Sequence, residues 1–109
     1  MIWDVQYLEE AIIELDRLDH STRIQVAKGI DKVAQNPVSM AQGGYGKPLG
    51  TKKGLNLTNL LKIKFRDLGI RVVYKAEIKD TVMRIIVVSV RSDVQAYQEA
   101  ARRRAKYGL

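Results

Sequence analysis

From Val82 to Val90 the chain reads VMRIIVVSV, with apolar side chains on both of the alternating faces of a strand. Such a strand is stable only inside a sheet that carries another layer on each side, which constrains this chain more than any other feature. Two partners lie just upstream. Leu60 to Arg66 alternates Leu61, Ile63 and Phe65 against Lys62, Lys64 and Arg66, and Ile70 to Ala76 alternates Ile70, Val72 and Tyr74 against Arg71, Val73 and Lys75. Asp67-Leu68-Gly69 predicts a tight turn between them, with a glycine available for positive φ, and Lys79-Asp80 predicts the turn into the third strand. If Leu68-Gly69 is a two-residue loop, Asp67 pairs with Ile70, Arg66 with Arg71, Lys64 with Val73 and Lys62 with Lys75.

The layers come from helices. Ile2 to Tyr7 alternates as a short strand, after which Leu8, Ala11, Ile12, Leu15 and Leu18 fall at helical spacing as far as Asp19. Thr22 with Gln25 three residues on matches a capping box for a second helix, whose apolar stripe is Val26, Ala27, Ile30, Val33 and Ala34 and which Asn36-Pro37 stops. Together they form an αα-hairpin. Residues 43–56, GGYGKPLGTKKGLN, read as a basic, glycine-rich loop. Gly46-Lys47 is followed by Pro48 where a phosphate-binding loop requires Ser or Thr, so a nucleotide site is rejected there. From Asp93 onward Val94, Tyr97 and Ala101 share one side of a last helix, and Arg102, Arg103, Arg104 and Lys106 crowd its C-terminal turns, where the helix dipole favours cations.

With 109 residues, one core is expected and hence one domain over residues 1–109. The chain has no cysteine, which excludes a disulfide framework, a thiolate zinc site and a cysteine nucleophile. Its single histidine, His20, reads as a residue of the turn between the first two helices and cannot form a His-rich metal cluster. Trp3 and Phe65 read as core. No leader pattern or bilayer-length apolar run is present, so a cytoplasmic protein without membrane association is expected.

Charge is distributed unevenly. Residues 1–42 hold 4 basic and 7 acidic side chains, residues 43–109 hold 15 and 5, and the whole chain carries +7. This asymmetry points to a polyanion as partner of the second half. The strand alternation gathers Lys62, Lys64, Arg66, Arg71 and Lys75 on one sheet face, where like charges oppose each other at a cost to stability. Such a face suits an anionic partner, but it also deters edge pairing, and the alternation by itself leaves both readings open. RNA cleavage by its own 2′-hydroxyl fits a cluster without carboxylate or imidazole. Lysine among cations can act as base, arginine offers a planar donor fork to phosphoryl oxygens, and tyrosine can stack or transfer a proton. No metal or other cofactor is required. Lys47, Lys52 and Lys53 could add contacts to an RNA backbone.

The segment LLKIKFRDLGIRVVYKAEIKDTVMRIIVVSVRSDVQAYQEAARR closely resembles the RelE branch of the RelE/ParE toxin superfamily, where a KIK strand, a GxRxVY strand, a strand ending in a basic residue and a tyrosine-bearing helix recur in this order. The upstream strand and helical hairpin match as well. The resemblance implies an α+β fold in which an N-terminal strand and αα-hairpin pack on a four-stranded, mainly antiparallel sheet with a C-terminal helix. It implies a type II toxin that cleaves mRNA on the ribosome and is held inactive by a cognate RelB-like antitoxin, acidic and helical. Lys62 and Lys64 would then position substrate, one of them as possible base, with Arg66 and Lys75 as further RNA contacts. Arg71 would meet the phosphate charge, Arg91 would support the phosphate or leaving group, and Tyr97 would stack on a base or transfer a proton. The link from the last strand to Tyr97 is shorter than in the family pattern, so Tyr97 as an ordinary helix residue stays open. A ParE-like gyrase inhibitor shares the fold but has no need of a convergent cationic face, and a non-catalytic nucleic-acid-binding module would use that face without cutting.

Overall fold

The computed structural model describes residues 2–52 and 54–109, with residues 51 and 52 described by their backbone alone. The elements are β1 (Asp4–Tyr7), α1 (Glu9–Asp16), α2 (His20–Val33), β2 (Lys47–Lys52), β3 (Leu55–Phe65), β4 (Ile70–Glu77), β5 (Val82–Ser89) and α3 (Asp93–Tyr107). The strands form one five-stranded sheet in the order β1-β5-β4-β3-β2, with β1 parallel to β5 and the other pairs antiparallel. β5 occupies the interior position that its two apolar faces require, and all of its residues except Arg84 are buried. Among the described residues no helix is long and apolar enough to cross a membrane.

The sheet has one strand more than expected. The expected loop over residues 43–56 instead contains β2 and the start of β3, which pair as a hairpin. Two of its glycines serve strand geometry: Gly54, at φ +78°, lies in the turn, and Gly50, at φ +64°, lies where the β2–β3 register shifts. Pro48 is tolerated because β2 is an edge strand, where a missing N–H removes no interior ladder bond.

The β3–β4 connection also differs. Residues 66–68 form a single 3-10 turn ended by Gly69 at φ +66°, so Phe65 pairs with Ile70, Lys64 with Arg71, Lys62 with Val73 and Leu60 with Lys75. The loop is thus longer than two residues and the register slides by two. An even slide preserves the faces, so Lys62, Lys64, Arg71 and Lys75 still share one side while Arg66 leaves the strand for the turn. The start of α2 is corrected too: Asp19 is the cap, its carboxylate accepting from the Thr22 backbone N–H at 3.2 Å and the Thr22 hydroxyl at 2.6 Å. The capping box belongs to α3, between Ser92 and Gln95.

α2 covers the face of Phe65, where Gly29 leaves no room for a side chain against the ring. The chain leaving α2 is clamped to the same face. The Tyr74 hydroxyl donates to the Pro37 carbonyl at 2.7 Å, and a Cβ on Gly46 would stand 2.6 Å from that hydroxyl and 2.9 Å from that carbonyl. Trp3 and Phe65 are only partly buried. α3 crosses the opposite face, against β3, β4 and β5.

Arg103, expected among the cations that the helix dipole favours at the C-terminal turns, has a further role. It falls on the stripe of Ala96 and Ala100, is 5% exposed, and donates to Glu14 of α1 at 2.7 and 3.0 Å, to Glu99 at 2.7 Å and to the Ile86 carbonyl at 2.9 Å. Glu14 also accepts from the Val88 N–H at 3.1 Å. β1 pairs with β5 only as far as Ile85, so this ion pair occupies backbone groups on the edge of β5 beyond the end of β1.

Further along, Tyr107 and Lys106 donate to Glu10 of α1 at 2.6 and 3.0 Å, holding its carboxyl down at about 2. Glu99, bonded to Arg102 and then Arg103, and Asp93, bonded to Lys64 and then Arg71, are also lowered. Folded-state values below the unfolded ones mean that stability from these groups is complete above the ordinary carboxylate range near pH ~4. It is lost as pH falls through the folded values. All three carboxylates lie on α3 or hold it. We expect α3 amides to lose hydrogen-exchange protection ahead of β4 and β5 on acidification from pH ~6 to ~2.5, and uniform loss across the chain would contradict this.

Candidate functional site

Three cations converge on the α3 side of the sheet. Lys64 and Arg71 are direct cross-strand partners, Lys62 lies two residues along β3, and Lys47 of β2 pairs with Lys62 across the next ladder. Two like charges directly opposed destabilise a sheet unless something intervenes. Here that is Asp93, the first residue of α3. One of its oxygens accepts from Lys64 Nζ at 2.8 Å and the other from Arg71 Nε. The ammonium of Lys64, and then the guanidinium of Arg71, hold this carboxyl below the usual range, so it is an anion at neutral pH. Arg71 Nη1 donates further to the carbonyls of Arg91 at 2.8 Å and Gly69 at 3.3 Å.

One turn into α3, Tyr97 packs toward the same cluster, with the Lys62 ammonium 6.0 Å from its ring centroid. The residue is 5% exposed and its hydroxyl has no hydrogen-bond partner among the described residues. Burial, and secondarily the charge of Asp93, raises its pKa above the ordinary phenol value. A cavity of about 430 Å³ opens here, lined by Leu55, Lys62, Lys64, Asp93, Tyr97 and Gln98 among others. The site is therefore a slot between β3 and the start of α3, able to bind an anion at Lys62 and Lys64, with the buried Tyr97 in its wall.

No protein-family model matches the chain, and no curated protein matches it in sequence. Solved structures do. A double arginine-to-alanine variant of the E. coli toxin RelE in the free state matches with TM-score 0.71 and 26% identity over 94% of this chain and 98% of that one. The isolated E. coli RelE toxin matches with TM-score 0.64 and 29% identity over 93% and 97%. The toxin in the intact E. coli RelBE toxin–antitoxin complex matches with TM-score 0.66 and 26% identity over 83% and 98%. The chain belongs to the RelE-like superfamily.

In this RelE-like chain the expected site residues are not all in one place. Lys62, Lys64 and Tyr97 line the slot, and Arg71 reaches it through Asp93. Arg66 lies in the exposed turn and lines a cleft of about 300 Å³ beside Lys64 and Arg71. Lys75 is further along β4, its ammonium donating to the Leu109 main-chain oxygen at 2.8 Å. Arg91 brings its carbonyl to Arg71 and lines a separate cavity with Glu14, Arg17 and Arg103. Lys47 is exposed on β2, and the Lys52 side chain and Lys53 lie outside the described residues.

Asp93 is the residue that sequence reasoning missed, since the cationic face was read as having no carboxylate. The available signal was its place two residues after Arg91, at the point where β5 hands over to α3 beside the start of β4. Arg103 had a clearer signal, its spacing from Ala96 and Ala100 on the apolar stripe of α3.

Proposed function

We propose that this RelE-like chain is the toxin of a type II toxin–antitoxin pair and cleaves mRNA on the ribosome by attack of the 2′-hydroxyl on the adjacent phosphate. The observation that carries this reading is the convergence of Lys62, Lys64 and Arg71 on one face beside Tyr97, an arrangement that a purely structural sheet would not favour. In the reaction the 2′-oxygen bonds to phosphorus as the bond to the 5′-oxygen breaks, leaving a 2′,3′-cyclic phosphate and a 5′-hydroxyl. Arg71 supplies positive charge and its Nη2 donors to the phosphorane oxygens. Lys64, bonded to Asp93, and Lys62 add positive charge, and one of these two strand lysines takes the proton of the 2′-hydroxyl. The departing 5′-oxygen is served by Arg91 once its side chain turns toward Arg71, whereas Tyr97, 5% exposed with its hydroxyl buried, packs as a helix residue against Lys62. Lys47, Lys52, Lys53, Arg66 and Lys75 extend the contact along the RNA backbone.

The partners are then ribosome-bound mRNA in the cytoplasm and a RelB-like antitoxin, whose acidic helical segment silences the face by covering it or displacing α3. E. coli RelE is solved in the intact RelBE toxin–antitoxin complex, and its double arginine-to-alanine variant with a peptide of the antitoxin RelB. The test incubates purified chain with translating ribosomes and maps mRNA ends. We expect internal cuts in ribosome-bound message that disappear when antitoxin is added. Intact message with inhibited gyrase favours the ParE-like reading, and RNA bound without cutting favours the binding module.

A further inference from the structure

We infer that Asp93 is a positioning residue for phosphate recognition, its carboxylate holding Lys64 and Arg71 at fixed separation and leaving Nη2 of the Arg71 guanidinium for the RNA. The inference rests on the nuclease reading of the same face. Arg71 has five N–H groups. Nε donates to Asp93, and Nη1 donates to Gly69 and Arg91 carbonyls, one at the turn into β4 and one at the approach to α3. Nη2 makes no hydrogen bond among the described residues, so the guanidinium is held through Nε and Nη1 and presents Nη2. Lys64 is tethered through the other carboxylate oxygen, which makes a single anion the spacer between the two cations.

Asp93 is itself fixed. It follows Ser92, whose side chain and Gln95 close the capping box, and it stands at the first position of α3, where the helix dipole favours a carboxylate. Without that charge, Lys64 and Arg71 would be opposed like charges, each side chain 28% exposed, and would swing apart into solvent. Removing Asp93 therefore disorders the pair while adding to the positive charge that attracts RNA. Ground-state attraction and transition-state fit should separate.

Asp93→Asn is compared with the parent, with Asp93→Glu and with Asp93→Asn in an Arg71→Ala background, measuring single-turnover cleavage of ribosome-bound mRNA and the concentration for half-saturation. Expected for Asp93→Asn is a rate lower by about thirtyfold or more with equal or tighter half-saturation, since a displacement near 1 Å at a reacting centre carries a penalty of that order. Glu should recover part of the rate. In the Arg71→Ala background the same change should cost less than about threefold, because the group it positions is gone. If the parent cuts and Asp93→Asn cuts at the parental rate or faster, Asp93 is a spectator or a plug and the inference falls alone. Additive losses in the double variant also overturn it, by assigning the effect to folding. A parent that leaves message intact overturns the nuclease reading and this one with it.

Discussion

Replacing Arg71 by alanine should leave a folded chain whose single-turnover cleavage of ribosome-bound mRNA is slower by about a hundredfold or more. The side chain is 28% exposed, and its loss removes hydrogen bonds to Asp93, Gly69 and Arg91 while Lys64 continues to hold Asp93. Relief of the Lys64–Arg71 repulsion offsets part of that loss, so stability should fall by only about 1–2 kcal/mol. The effect on rate is larger because a guanidinium donor placed in advance meets charge that develops only in the transition state, and no neighbouring side chain offers the same geometry. Val72→Ala is the control: Val72 is fully buried on the other face, so its truncation should lower stability without a specific loss of rate in the fraction that remains folded. Thermal midpoints and cleavage rates measured on the same preparations decide the matter. A folded Arg71→Ala chain that cuts at the parental rate removes the nuclease assignment.

Arg103→Ala should have the largest effect on stability, a loss of about 3–5 kcal/mol. A domain of this size has about 5–15 kcal/mol in total, so the variant is expected to unfold at a much lower urea midpoint. The change leaves Glu14 with its charge and without its bidentate partner, strips Glu99 of one of its two arginines, and orphans the Ile86 carbonyl beneath α3. Combining Glu14→Gln with Arg103→Met should recover at least half of the loss. The introduced amide still accepts from the Val88 N–H while no unpaired charge remains at that position, and the introduced thioether side chain refills the volume of the guanidinium. If Arg103→Ala costs less than about 1 kcal/mol, the network is a surface contact and not the tie between α1, β5 and α3. Cleavage by the folded fraction should change little, because Arg103 does not line the slot at Lys62, Lys64 and Tyr97.

Which side of the sheet each residue faces was legible in the linear sequence. The alternation of Leu61, Ile63 and Phe65 against Lys62 and Lys64, and of Ile70, Val72 and Tyr74 against Arg71 and Lys75, is a period of two that follows from backbone geometry alone. For that reason the cationic face survived a wrong register: the turn at Arg66–Leu68 slid the pairing by two residues, and an even slide returns every side chain to its own side. The interior position of β5 was equally legible, because an uninterrupted apolar run has no other stable place. The β2–β3 hairpin was not, since glycines at a bulge and a turn look like glycines of a loop when only composition is weighed.

The composition of the site depended on the tertiary path. Lys64, Arg71 and Asp93 are separated by many residues, and whether a carboxylate stands between a lysine and an arginine side chain is decided by where β5 ends and in which direction α3 leaves it. The same holds for Arg103, which reads as a terminal cation until the early end of β1 exposes the β5 edge that it covers with Glu14. Periodicity is local, a consequence of bonds and sterics along a few residues, and the sequence by itself determines it. Electrostatic partnership falls off with distance in space and is blind to distance along the chain, so only the folded structure could decide that the cationic face of this protein carries an anion of its own.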